Sequence, residues 1–250
     1  MKVWDYLTRK LERGEKLHMT LLDPEKTNPH RAGELAGIAD RAGTCAIMVG
    51  GSTGGTDRVD ETVIEIKKRT DLPVILFPSG ASFLSSHADA VYFMSLLNSK
   101  SVRYLAGEQL KGVPYIKKYG IEPIPMGYVV VGAGEKVGEV GRAKLLPGNR
   151  VEKIVSYALL AQYMGMRLVY LEAGSGAHEH VPTDTIREVK RNLDIPLVIG
   201  GGIRSPRVAR EVAEAGADII VTGELVEREE NIEVILRELI EAIKNGRVFP

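Results

Sequence analysis

Eight short apolar runs, many of them rich in β-branched residues, recur along this chain, and each is followed by a longer stretch with helical spacing. That alternation limits the fold more than any other feature. The runs are Leu17–Leu22, Ala46–Val49, Val74–Phe77, Ala90–Leu97, Pro123–Val131, Leu168–Leu171, Leu197–Ile199 and Ile219–Thr222. Helices are predicted at Arg31–Arg41, Glu61–Arg69, Val102–Lys118, Val151–Met164, Thr183–Asn192, Pro206–Ala215 and Asn231–Ile243, and an amphipathic helix Val3–Arg13 precedes the first strand. Pro206 suits a first helical turn, and Asn192 and Gly216 suit helix ends. Strands this short and apolar are buried on both faces, which means parallel strands covered by helices. Eight such units in 250 residues predict closure into a (β/α)8 barrel, a single domain spanning 1–250. An open doubly wound sheet is the competing architecture. The Gly- and charge-rich stretch Gly132–Arg150 reads as a long loop after the fifth strand and a candidate lid.

Charge and cysteine content narrow the partners. Lys plus Arg and Asp plus Glu are 33 each, so nothing points to nucleic acid. The one cysteine, Cys45, reads as a small buried strand residue. No apolar run reaches the roughly 18 residues of a membrane span. The opening MKVWDYLTRKLERGEK lacks the apolar core of a signal peptide, and a cytoplasmic protein is the expectation.

In a barrel of this kind the working residues stand just after the strands, on the C-terminal face. The first strand ends at Asp23, which Pro24 holds extended and which points into the mouth; the competing reading is a helix-capping loop Asp. Lys26 reads as a solvated surface lysine. The second strand ends in VGGSTGGTD, where Ser52 and Asp23 suit a Mg²⁺ that keeps several waters and takes its other ligands from substrate phosphate; the competing reading is a Gly-rich turn with no ligand. The sixth ends in YLEAGSGA. Glu172 there, on the same face as Tyr170, is a candidate general base because partial burial raises a carboxyl pKa; the competing reading is a Glu paired with a neighbouring Lys or Arg. The seventh and eighth end in IGGGIRSP and VTGELVE, whose Gly200, Gly201, Gly202 and Gly223 expose backbone N–H groups beside helix starts, an anion site. Asp57, Asp60 and Glu61 read as helix-start carboxylates, and His178 and His180 as members of a polar loop rather than metal ligands.

Taken together, TLLDPEK, MVGGSTGG, VILFPSG, DAVYFMSLLNS, MGYVVVG, YLEAGSGA, GGGIRSP and TGELVE, in this order over nearly the whole chain, resemble the geranylgeranylglyceryl phosphate synthase family of archaeal ether-lipid biosynthesis and its bacterial heptaprenylglyceryl relatives. GGGIRS alone is shared with many phosphosugar barrels. The resemblance implies transfer of a geranylgeranyl group from its diphosphate to sn-glycerol 1-phosphate, with release of pyrophosphate. It implies a Mg²⁺ cofactor at Asp23 and Ser52, and a homo-oligomer. It also implies a glycerol phosphate site made of Tyr170, Leu171, Glu172, Ala173, Gly174, Ser175 and Gly176 with Gly201, Gly202, Gly223 and Glu224. Glu224 stands where relatives often carry Asn.

Such a reaction needs an apolar groove for the prenyl tail. Tyr92, Phe93, Met94 and Leu96 on the fourth strand and Met126 and Tyr128 on the fifth are its candidates, of which strand alternation allows about half. Two other functions fit parts of the pattern. A phosphosugar isomerase or synthase of the histidine or tryptophan pathway type would want two acid–base groups and no apolar groove. A non-catalytic barrel sensing a phosphorylated metabolite would need neither Glu172 nor Asp23.

Overall fold

The computed structural model describes residues 1–51, 56–225 and 231–246. Eight parallel strands close into a barrel in sequence order: β1 (Leu17–Leu22), β2 (Ala46–Val49), β3 (Val74–Leu76), β4 (Ala90–Leu96), β5 (Glu122–Val130), β6 (Leu168–Glu172), β7 (Leu197–Gly200) and β8 (Ile219–Thr222). Pairing of β1 with β8, with Thr20 opposite Thr222, excludes the open sheet. The helices are α1 (Val3–Glu12), α2 (Pro29–Ala42), α3 (Thr56–Lys67), α4 (Glu108–Tyr119), α5 (Glu135–Val140), α6 (Val151–Tyr163), α7 (Thr183–Asn192), α8 (Pro206–Glu214) and α9 (Ile232–Asn245).

Strand alternation sorts the apolar residues into two layers. Met19, Met48, Ile75, Tyr92, Met126 and Tyr170 fill the barrel. Ile47, Val49, Val91, Val169, Leu171 and Ile199 face the helices instead. Helix α1 closes the N-terminal end: Leu7 is fully buried against the interior layer, and the Val3 N–H donates to Glu122 Oε2 at 2.6 Å. Helix starts carry their own caps. Asn28 Oδ1 accepts the Arg31 N–H at 2.9 Å and Ser205 Oγ that of Val208 at 3.3 Å, each ahead of a first-turn proline. Cys45 is buried, and burial pushes its thiol up to about 12, so it is inert.

Three departures from the sequence reading matter. Gly132–Arg150 is not a plain loop but contains α5, whose residues Lys136, Val137 and Val140 look into the barrel mouth. The predicted helix Val102–Lys118 begins as a π-helical turn, Arg103–Gly107, before α4. Most consequential, β3 and β4 are joined without a full covering helix, only the 3₁₀ turn Ala81–Phe83. The outer face of β4 beside that turn is therefore open at its upper end.

Candidate active site

A cleft of about 380 Å³ starts at the barrel mouth and runs over the end of β3 to the outer side of β4. Its outer wall is the 3₁₀ turn on one side and α4 on the other, with Leu84, Gly112 and Ile116 at the far end. Inward residues Tyr92, Met94 and Leu96 and outward residues Val91 and Phe93 all line it, because the cleft passes from one face of β4 to the other. A second pocket of about 50 Å³ lies at the ends of β6, β7 and β8, beside the first turn of α8. The two share Leu21, Glu172, Ser175, Gly223 and Glu224, so they meet at Glu172.

Glu172 ends β6 on the inward face and is 6% exposed. Its Oε1 accepts the Gly174 N–H at 2.7 Å and its Oε2 the Tyr128 hydroxyl at 3.2 Å. The Tyr170 hydroxyl also hydrogen-bonds the carboxyl. Burial raises the pKa of Glu172, and the Gly174 N–H, Tyr170 and Tyr128 pull it back part of the way. Beneath the carboxylate lies an aromatic floor. Phe77 stacks on Tyr170 at 5.5 Å between centroids and meets Tyr128 edge-on at 5.4 Å. Gly200 leaves room for this layer, since a Cβ there would overlap the Tyr170 hydroxyl.

The small pocket is built from the two glycine turns. Gly201 and Gly202 have φ of +83° and +72°, conformations that side chains disfavour, and a Cβ on Gly201 would stand 2.7 Å from Glu172 Oε1. Arg204 ties the surrounding loops together. Its Nη2 donates to the Gly176 carbonyl at 3.0 Å and pairs with Glu224 Oε2 at 2.8 Å. Glu224 therefore does not present an uncompensated negative charge to an arriving anion.

Across the mouth, the Asp23 carboxylate is largely covered, and burial raises its pKa against the lowering effects of the Glu25 N–H and Lys26. It accepts the Glu25 N–H at 2.9 Å, an Asx turn rather than a helix cap, and lines the cleft. Gly51 leaves it room, a Cβ there falling 2.5 Å from Oδ1. Lys26 is exposed, as read from the sequence, and also lines the cleft: its Nζ lies 3.4 Å from Ser175 Oγ and 4.0 Å from Asp23 Oδ2.

Most of the residues expected at the site converge here. Tyr170, Glu172, Ser175, Gly176, Gly201, Gly202, Gly223 and Glu224 line the small pocket, and Asp23, Tyr92, Met94 and Tyr128 the cleft. Three do not reach either space with their side chains. Leu171 and Ala173 point into the helix-facing layer, by strand alternation, and lend only backbone. Met126 faces inward but lies two residues deeper than Tyr128, wholly buried under the aromatic floor, and does not line the groove. Gly174 serves by its N–H. Ser52 and the side chain of Asp57 lie outside the described residues. His180 makes a local contact, its Nδ1–H donating to the Val181 carbonyl at 2.7 Å. Phe77, Lys136 and Arg204 were not picked out by sequence. For Arg204 the signal was its place in GGGIRSP; Phe77 and Lys136 carry none that separates them from core and surface residues.

The chain matches the model of the PcrB family over residues 9–243. It is 49% identical over 246 residues to the geranylgeranylglyceryl phosphate synthase of Pyrococcus abyssi, covering 98% of this chain and 97% of that one. It is 52% identical to that of Thermococcus sibiricus, covering 98% and 96%. A crystal structure of (S)-3-O-geranylgeranylglyceryl phosphate synthase from Thermoplasma acidophilum in complex with sn-glycerol-1-phosphate superposes with a TM-score of 0.95, at 48% identity, over 98% of this chain and 99% of that one. A tryptophan synthase α subunit from Legionella pneumophila, with a TM-score of 0.62 and 15% identity over 98% of this chain and 99% of that one, shares the barrel alone. Sequence over nearly the full length and backbone shape agree, and this chain belongs to the PcrB family.

Proposed function

We propose that this chain joins sn-glycerol 1-phosphate to geranylgeranyl diphosphate, giving geranylgeranylglyceryl phosphate and pyrophosphate. The observation that carries this reading is the position of Glu172, at the junction of a small pocket lined by the two glycine turns and a long, mainly apolar cleft. The relatives bear that name, and the Thermoplasma acidophilum relative holds sn-glycerol 1-phosphate. A phosphosugar isomerase has no use for an apolar cleft of this size, and a sensor none for a buried carboxylate aimed at the ligand junction.

In this reading the glycerol phosphate sits in the small pocket, on N–H groups of Gly201 and Gly202 after β7 and of Gly223 after β8. Its free hydroxyl then faces Glu172. The prenyl tail lies along Tyr92, Phe93 and Met94 toward Ile116. As the allylic carbon–oxygen bond breaks, pyrophosphate leaves with the electron pair, the glycerol oxygen bonds to the carbon, and its proton passes to Glu172. The aromatic floor keeps water from the cationic carbon and offers it π faces.

Asp23 is the fitting place for a Mg²⁺. Among the described residues no group of three or more His, Cys, Asp or Glu could hold a metal alone. One carboxylate, with Ser52, suits a cation that takes its remaining ligands from water and diphosphate. Bound there, the ion would neutralise the leaving pyrophosphate. Lys26 and Lys136 add positive charge at the same edge of the cleft.

Transfer of radiolabelled glycerol phosphate to an allylic diphosphate tests this directly. Activity is expected to need Mg²⁺, and Asp23→Asn to lose most of it while still binding glycerol phosphate. Full turnover in excess chelator would remove the metal. No transfer to any allylic diphosphate would end the reading.

A further inference from the structure

Helix α4 works on both sides. Gln109, Gly112 and Ile116 wall the cleft. On the opposite side Leu110 and Val113 are 76% and 48% exposed, and Pro114 is exposed beside them. Positions 110, 113, 114 and 117 recur at i, i+3, i+4 and i+7, so Leu110, Val113, Pro114 and Lys117 form one stripe on this outer face. Val102, 75% exposed, precedes the same helical segment.

The stripe is set among positive charge. Residues 100–120 contain Lys100, Arg103, Lys111, Lys117 and Lys118 against the single acid Glu108, five less one, or plus four in a chain whose net charge is zero. Glu108 is turned inward: its side chain is only 12% exposed and binds Arg103, Lys111 and the Ala81 N–H. An apolar stripe edged by lysines, whose stems lie along apolar surface while the ammonium groups reach outward, matches a helix resting in the interface of an anionic bilayer. A two-fold contact with a second copy would set these lysines against one another, which disfavours that occupant.

We infer that the outer face of α4 seats this protein on an anionic membrane surface, and that the cleft behind it exchanges its prenyl diphosphate and its lipid product with that surface. The exchange rests on the proposed reaction; the seating does not. The full chain should sediment with vesicles of phosphatidylglycerol and phosphatidylcholine at low salt, and weakly with phosphatidylcholine alone or at high salt. Leu110→Ser with Val113→Ser, and separately Lys117→Gln with Lys118→Gln, should each weaken binding roughly tenfold or more. Neither pair lines the cleft, so turnover of a short, water-soluble allylic diphosphate should be unchanged and certifies the fold. Absence of vesicle binding, or binding that neither pair alters, would overturn the inference. So would a dimer in solution that the serine pair dissociates, which would assign the face to a second copy. Failure of turnover in the unaltered chain would strike the proposed reaction and leave the vesicle result standing.

Discussion

Glu172 illustrates how burial and hydrogen bonding share control of one carboxyl. Burial favours its neutral form, while the Gly174 N–H and the Tyr128 and Tyr170 hydroxyls favour the anion. The net effect is a raised pKa, which in the proposed reaction would make the carboxylate a better proton acceptor at the moment the alcohol attacks. The sign for pH follows. The working form is ionised, so kcat/KM should fall as pH drops through a pKa above the usual carboxylate range, and should be flat above it. Glu172→Gln keeps the shape and one of the two acceptor oxygens, for the Gly174 N–H, but cannot take up a proton. Its kcat should fall by about 10²–10⁴ with glycerol phosphate affinity changed by less than roughly tenfold. A near-normal kcat with a raised KM, measured at saturating diphosphate, would instead make Glu172 an orienting group.

Among the elements, the connection between β3 and β4 sets the shape of the cleft. A full helix there would cover the outer face of β4; the 3₁₀ turn leaves it to a ligand. Chain length should then be read at the far end, where Gly112 faces Leu84. A Cβ on Gly112 would stand 3.3 Å from Leu84 Cδ1, so a larger side chain must project into the cleft. Gly112→Leu introduces a better helix former and should lower kcat/KM for a C20 diphosphate by roughly tenfold or more, leaving a C10 diphosphate little changed. Equal losses for both would place the tail elsewhere.

The same elements show what a single sequence discloses. The ends of β6, β7 and β8 were legible because each carries its chemistry within a few residues: a carboxylate after an apolar run, or glycines before a proline-capped helix. The cleft was legible only in part. Tyr92 and Tyr128 follow from alternation, but alternation says nothing of depth along the barrel axis, which is why Met126 reads as groove and lies in the core. The groups that come from distant turns, Phe77 and Lys136, depend on closure of the barrel, and no local pattern encodes that.

For the whole molecule, stability and function draw on the same barrel. His18 on β1 is buried facing the helices, its Nδ1 2.8 Å from Thr44 Oγ1 and its Nε2 2.8 Å from Thr222 Oγ1. Burial lowers its pKa from 6.5 to about 3. Below about pH 6.5 the unfolded chain takes a proton there that the folded chain refuses, so stability should decline from about 6.5 down to about 3 and be insensitive to this group above that window. His18→Gln should remove that part of the acid slope in thermal melts, whatever it costs at neutral pH. Thr222 leads directly into Gly223, so this buried network also anchors one wall of the small pocket.

In the proposed reaction one end of the mouth grips a phosphate and the other an apolar tail, with Glu172 between them. A crystal structure of this chain with sn-glycerol 1-phosphate tests it most directly. The phosphate oxygens should lie about 3 Å from the backbone nitrogens of Gly201, Gly202 or Gly223, with a glycerol hydroxyl turned to Glu172. A phosphate more than about 5 Å from all three nitrogens would contradict the account.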